Sequence, residues 1–118
     1  MLKMDQVNEN RVLTITASGT LTADDYRQLL PELEKKLDEY GQLRFYIKLE
    51  DFDGFEPGAI WEDLKFDREH ADQYGRTAII GEQKWEEWGT RFSGLFMNAE
   101  IRFFYKDQQL EAWDWVNR

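Results

Sequence analysis

The stretch TADDYRQLLPELEKKLDEYGQLRFYIKL, residues 22–49, decides the fold. Thr22 stands three residues before Asp25, the spacing of a helix N-cap whose hydroxyl accepts a backbone N–H of the first turn. Tyr26, Leu29, Leu30, Leu33, Leu37 and Tyr40 then recur at helical spacing until Gly41, a residue suited to the left-handed turn that closes a helix. Pro31 falls about two turns in, where it removes a backbone donor and crowds the carbonyl four residues earlier, so a kink or restart is expected there. Directly afterwards the pattern alternates. Leu43, Phe45, Ile47 and Leu49 share one face and Arg44, Tyr46 and Lys48 the other, which predicts a strand.

Working outward, RVLTITASG from Arg11 to Gly19 is rich in β-branched residues and stops at a glycine, so it reads as a strand. A shorter strand before the turn Asn8-Glu9-Asn10 would complete a hairpin with it. Downstream, EDFDGFEPG combines Pro57 with two glycines and reads as a loop. AIWEDLKFDREHADQY follows as a helix with Ile60, Trp61, Leu64, Ala71 and Tyr74 as its apolar positions, a phase that leaves Phe66 off the face. The continuous run TAII within Arg76 to Gly81 suits a strand covered on both sides, as a parallel sheet requires. A third helix starts near Lys84, IRFFY from Ile101 to Tyr105 is a further strand, and Asp107 is placed to cap a last helix carrying Leu110, Trp113 and Val116.

Helices between successive later strands imply parallel neighbours, and the initial hairpin makes the sheet mixed. The expected fold class is therefore α/β: a mixed, mostly parallel sheet of about five strands with about four helices, in one domain spanning 1–118. A chain of 118 residues is long enough to bury one real core.

Composition narrows the function. The 24 acidic against 15 basic residues give a net charge of −9, which argues against nucleic acid, because phosphate binding needs a basic footprint. Nine carboxylates fall between Glu50 and Asp72 against only Lys65 and Arg68, and an anionic membrane would repel that face. No stretch approaches the roughly 18 apolar residues of a membrane span, and MLKMDQVNENR lacks a signal-peptide core, so a cytoplasmic protein without stable membrane insertion is expected. With no cysteine there is neither a thiol nucleophile nor a thiolate metal site.

Aromatic residues carry the functional signal. Fourteen of the eighteen, including all five Trp, lie after residue 51, so the second half supplies either most of the core or a ligand-lined groove. Trp85, Trp88, Phe92 and Phe96 recur along KWEEWGTRFSGLF and, with Trp61 and Phe66, form the candidate binding surface for an apolar small molecule, a lipid or a protein partner. The competing reading is that they are core, since burying one such ring is worth roughly 2–3 kcal/mol. An exposed Phe66 would favour binding.

Other candidate chemistry is weaker. Asp51, Asp53 and Glu62 occupy the first, third and twelfth positions of an EF-hand register, but Phe55 and Glu56 stand at its fifth and sixth, and Pro57 stiffens the rest. A solvated acidic face is the better reading, and no metal site is assigned. His70 is the single histidine, and Ser18 and Ser93 lack the strained-turn context of a nucleophile. Glu62 with Asp63, and Glu86 with Glu87, are sequence neighbours that point in different directions on a helix. No catalytic residue and no cofactor is assigned.

The segments GTLTADDYRQLLPELEK, LEDFDGFEPGAIWEDLKF, RTAIIGEQKWEEW and LEAWDWV together resemble the small bacterial SpoIIAA-like proteins, which are related in fold to STAS domains and to CRAL-TRIO lipid-binding domains. The resemblance implies a small mixed sheet with helices packed against it, and movement of the second-half helices to expose an apolar pocket. It implies no reaction. STAS proteins of the anti-sigma-factor antagonist kind carry a phosphorylatable serine where the helix after the third strand begins; the matching stretch DGFEPGAIW has neither Ser nor Thr, so that switch does not carry over. The expected function is a non-enzymatic binding or regulatory domain. The alternatives are a homodimer that consumes the aromatic patch, and a small enzyme using Glu62, Asp63 or His70.

Overall fold

The computed structural model describes residues 1–57, 73–82 and 99–118. A five-stranded sheet is built from β1 (Leu2–Val7), β2 (Val12–Leu21), β3 (Leu43–Phe55), β4 (Tyr74–Gly81) and β5 (Ile101–Tyr105), in that spatial order. β1 runs antiparallel to β2, and β2 through β5 are mutually parallel. The described residues contain two α-helices, α1 (Ala23–Tyr40) and α2 (Gln109–Asn117), with a short 3-10 turn (Lys106–Gln108) before the second. The mixed, mostly parallel five-stranded sheet matches the sequence reading. The helices expected around Trp61 and from Lys84 onward lie outside the described residues.

Each face of the sheet has its own core. Leu13, Ile15 and Ala17 of β2, Phe45, Ile47 and Leu49 of β3 and Ile79 of β4 meet Tyr26, Leu29, Leu33 and Leu37 of α1. Those four helix residues form the buried stripe that the spacing of the sequence predicted. On the opposite face Val12, Tyr46, Ala78, Ile80 and Phe104 meet Ala112, Trp115 and Val116 of α2. β4 contributes to both, and Thr77, Ala78, Ile79 and Ile80 are all buried, as the unbroken apolar run TAII required.

α1 starts on a full capping box: the Thr22 hydroxyl accepts the Asp25 N–H at 3.0 Å and the Asp25 carboxylate accepts the Thr22 N–H at 3.1 Å. It ends at Gly41, whose φ of +82° suits a residue without a side chain, and whose N–H donates to the Leu37 carbonyl at 2.8 Å. The helix runs as one element through Pro31 rather than restarting there.

Four further expectations are corrected. β3 does not stop at Leu49 but continues through EDFDGF, because β2 offers partners as far as Leu21. Register shifts around Gly19 take up the mismatch, and Asp51 (φ +48°) and Gly54 (φ +116°) turn the chain locally. Tyr74 opens β4 instead of closing a helix, and its ring meets Phe45 edge-on with centroids 5.5 Å apart. Asp107 sits inside the 3-10 turn, so α2 starts at Gln109 with Gln108 as N-cap and no side-chain cap bond. Leu110, expected to face the core, is 86% exposed; the Trp113 ring is 39% exposed but meets Tyr46 edge-on with centroids 5.0 Å apart, and Trp115 is the fully packed ring.

Candidate functional site

The two ends of the parallel strands differ in chemistry. At the amino edge, Arg44 of β3 donates to the Val116 and Arg118 carbonyls at 3.1 and 2.9 Å, and Arg76 of β4 donates to the Trp115 carbonyl at 3.1 Å. The guanidinium groups of Arg76 and Arg102 lie 5.3 and 5.2 Å from the Trp115 ring centre. Cations thus meet the negative, otherwise unsatisfied end of α2. The Asn117 side chain adds a tie to the first hairpin by accepting from the Asn8 and Asn10 amides at 2.9 and 3.0 Å. This edge is consumed by holding the helix in place.

At the carboxyl edge a cavity of about 730 Å³ opens beside β4 and β5. Among the described residues its walls are Gly81, Glu82, Tyr105, Lys106 and Asp107. Parallel pairing explains the grouping: Gly81 stands opposite Tyr105, so the two strands end level and their following residues face one space. The Lys106 ammonium lies 3.0 Å from a Glu82 carboxylate oxygen. Glu82 first, by hydrogen bond and charge, and then the fields of Asp51 and Glu50 hold Lys106 protonated above the usual lysine range. The Tyr105 N–H donates to the Gln108 side chain at 3.0 Å, which fixes the turn that carries Lys106 and Asp107.

The carboxyl edge of β2 and β3 is closed instead. Glu56 accepts the Ala23 N–H at 2.9 Å through its carboxylate and donates its own N–H to the Leu21 carbonyl at 2.9 Å. An acidic group at the start of α1 also suits the positive end of the helix dipole.

The candidate binding residues Trp61, Phe66, Trp85, Trp88, Phe92 and Phe96 lie outside the described residues, as do Glu62, Asp63, His70 and Ser93. What is described is where their segments join the sheet. The first follows Pro57 at the end of β3, and the second follows Glu82 at the end of β4. Asp51 and Asp53 belong to strand β3, not to a calcium-binding loop, and no group of three or more His, Cys, Asp or Glu among the described residues is placed to hold a metal ion. Ser18 sits in β2, its N–H donating to the Met1 carbonyl.

The cavity residues Gly81, Glu82, Tyr105, Lys106 and Asp107 were not singled out from sequence. A signal for them existed. The strands TAII and IRFFY are recognisable, they are expected to be parallel, and ligands of open parallel sheets bind beyond the carboxyl ends of the strands.

A mixed α/β sheet with one face under α1, the other under α2 and a cavity at its carboxyl edge defines a small sheet-and-helix domain. The chain belongs to the SpoIIAA-like family, whose model matches residues 12–117. It is similar to an uncharacterised protein of the DUF3478 family with a SpoIIAA-like fold from Shewanella loihica PV-4, with 32% identity and a TM-score of 0.71 over 98% of this chain and 92% of that one. No curated protein matches the chain. Among the described residues no helix is long and apolar enough to cross a membrane.

Proposed function

We propose that the chain is a non-enzymatic, cytoplasmic binding domain that takes an apolar small molecule or lipid, or an apolar segment of a protein partner, through the aromatic segments carrying Trp61 and Phe66 and Trp85, Trp88, Phe92 and Phe96. The observation that supports this reading is the cavity of about 730 Å³ at the carboxyl ends of β4 and β5. It is of ligand size, and the second aromatic segment begins at one of its walls, Glu82.

The test is displacement of the uncharged fluorescent probe N-phenyl-1-naphthylamine. Wild-type protein is expected to bind the probe, and a folded Trp88→Ala, Phe92→Ala double variant to lose binding by at least about tenfold, the value of removing about 1.4 kcal/mol of apolar contact. Unchanged affinity in a double variant with native circular dichroism sinks the proposal. Native mass spectrometry of the purified protein, followed by organic extraction, identifies any co-purifying apolar compound.

A second reading, self-association, has one observation of its own: the face of α2 that carries Leu110 presents that side chain 86% exposed. Sedimentation at several concentrations separates it from a monomeric binder. A dimer built on that face loses its association when Leu110 is replaced by Glu.

A further inference from the structure

We infer that the outer edge of β1 is an interaction surface for a second copy of this chain. The second copy adds its own β1 antiparallel, across a twofold axis at Met4, and joins two five-stranded sheets into one. This goes beyond the apolar-ligand reading and uses a surface distinct from the Leu110 face of α2. It rests on where β1 points its backbone groups and on the order of two charges along it.

β1 is an edge strand, with β2 as its one partner among the described strands. The Met1 amine donates to the Ser18 carbonyl at 2.7 Å and the Ser18 N–H donates to the Met1 carbonyl at 2.9 Å, so these opposed residues exchange both bonds. Such exchange alternates along an antiparallel pair. It therefore returns at Lys3 and Thr16, and the N–H and carbonyl groups of Leu2 and Met4 point away from β2. A row of outward groups of this kind is a template for another strand.

The side chains choose the partner and the register. Leu2 and Met4 pack against the core under α1, while Lys3 and Asp5 are exposed. No ion pair among the described residues uses Lys3 or Asp5. Outward backbone groups must meet outward ones, so a symmetric pairing of β1 with itself has its axis on a residue and not between two. An axis at Leu2 opposes Lys3 to Met1, one at Lys3 sets two lysines face to face, and one at Asp5 sets two aspartates face to face. An axis at Met4 opposes Lys3 of each copy to Asp5 of the other. Both of those pairs fall at positions without interstrand hydrogen bonds, where Cα atoms are about 4.5 Å apart and side chains are closest.

The flank of the edge also suits a second copy. A groove of about 580 Å³ lies between β1 and α1, bordered on the helix by Glu32, Lys35, Lys36 and Glu39. Lys3, Lys35 and Lys36 thus balance Asp5, Glu32 and Glu39 in a chain whose net charge is −9, and two copies meet here without the repulsion of their remaining surface.

The experiment is sedimentation of the full chain from roughly 5 to roughly 500 μM at about 50 mM salt. So short an edge predicts a weak, reversible dimer, half-formed at about 50 μM. Lys3→Glu and Asp5→Lys each make both opposed pairs repulsive and should weaken the dimer at least about tenfold. An equimolar mixture of the two variants restores opposite charges at both pairs, so the mixed dimer should form within about twofold of wild-type affinity. Leu110→Glu should leave the dimer intact.

A monomer throughout the concentration range overturns the inference, as does an association that neither charge reversal weakens. A mixture that stays as dissociated as its two components, each with native circular dichroism, overturns the register and the surface with it. Loss of the dimer in Leu110→Glu assigns association to α2 instead. Binding of N-phenyl-1-naphthylamine is read separately on the same proteins, so each of these failures leaves the apolar-ligand reading in place.

Discussion

The amino and carboxyl edges of the parallel strands β2 to β5 have been put to opposite uses. At the amino edge Arg44, Arg76 and Arg102 converge on the end of α2, where they meet backbone carbonyls and the Trp115 ring. At the carboxyl edge beside β4 and β5, Glu82, Lys106 and Asp107 surround open space and only one pair among them is closed. Charge at the first edge satisfies the fold's own polar groups, whereas charge at the second remains available to something else. The difference teaches which side chains to change for stability and which for binding.

The largest effect is expected at the amino edge. Trp115 is 5% exposed and packs with Phe104, Val116 and two guanidinium groups. Trp115→Ala removes the ring on which this corner is built and is expected to cost about 3–5 kcal/mol in urea unfolding. Next comes Arg44→Met, which keeps most of the aliphatic stem but leaves the Val116 and Arg118 carbonyls without their donor; the expected cost is about 1–2 kcal/mol. Hydrogen exchange should show the loss locally, with α2 amides opening faster and α1 amides unchanged relative to global stability. Equal acceleration in both helices would show that the amino edge is not a separate clasp.

These residues also show what the sequence could and could not reveal. α1 was legible from Thr22, Asp25, the leucine stripe and Gly41 because cap, periodicity and stop all operate within one helix. β4 was legible from the run Thr77 to Ile80, three apolar residues behind a threonine with no charge among them. α2 was legible as a helix that buries Val116, but not in its start or its phase, since Leu110, Ala112, Trp113, Trp115 and Val116 cover both sides of a short helix and Arg76 and Arg102 from distant strands help to choose which side is packed. β3 beyond Leu49 was illegible for a similar reason: acidic residues with a glycine read locally as loop, and only pairing with Gly19, Thr20 and Leu21 makes them strand. The candidate site divides in the same way. Its aromatic residues stand out by type, while Glu82 and Lys106, 24 residues apart, come together only through the parallel register of β4 and β5.

The carboxyl edge is itself divided, and the third prediction sharpens that division. Near β2 it is fixed by the cap on α1. Burial alone would raise the Asp25 carboxyl, but the Thr22 N–H, the Thr22 hydroxyl and the terminal amine 3.3 Å away outweigh it and hold the group below its ordinary value of 3.8. A group whose folded value is depressed stabilises the fold above its unfolded value and loses that contribution as pH falls through the folded one. Asp25→Asn is therefore expected to cost about 0.5–1 kcal/mol at neutral pH, with the gap from wild type closing below about pH 4. A gap that persists at low pH would assign the effect to packing instead of charge.

The smallest stability effect is expected where the binding effect is sought. Glu82 is 71% exposed, its pair with Lys106 lies in solvent, and ordering two flexible side chains offsets most of what such a pair gains. Glu82→Gln should leave the urea midpoint unchanged within error, in contrast to Arg44→Met at the opposite edge. Unfolding of the two variants side by side decides the comparison. A Glu82→Gln protein that is destabilised as much as Arg44→Met would make the carboxyl edge a second structural clasp, because a pair that holds the fold together cannot be open to exchange with a ligand at no cost to folding.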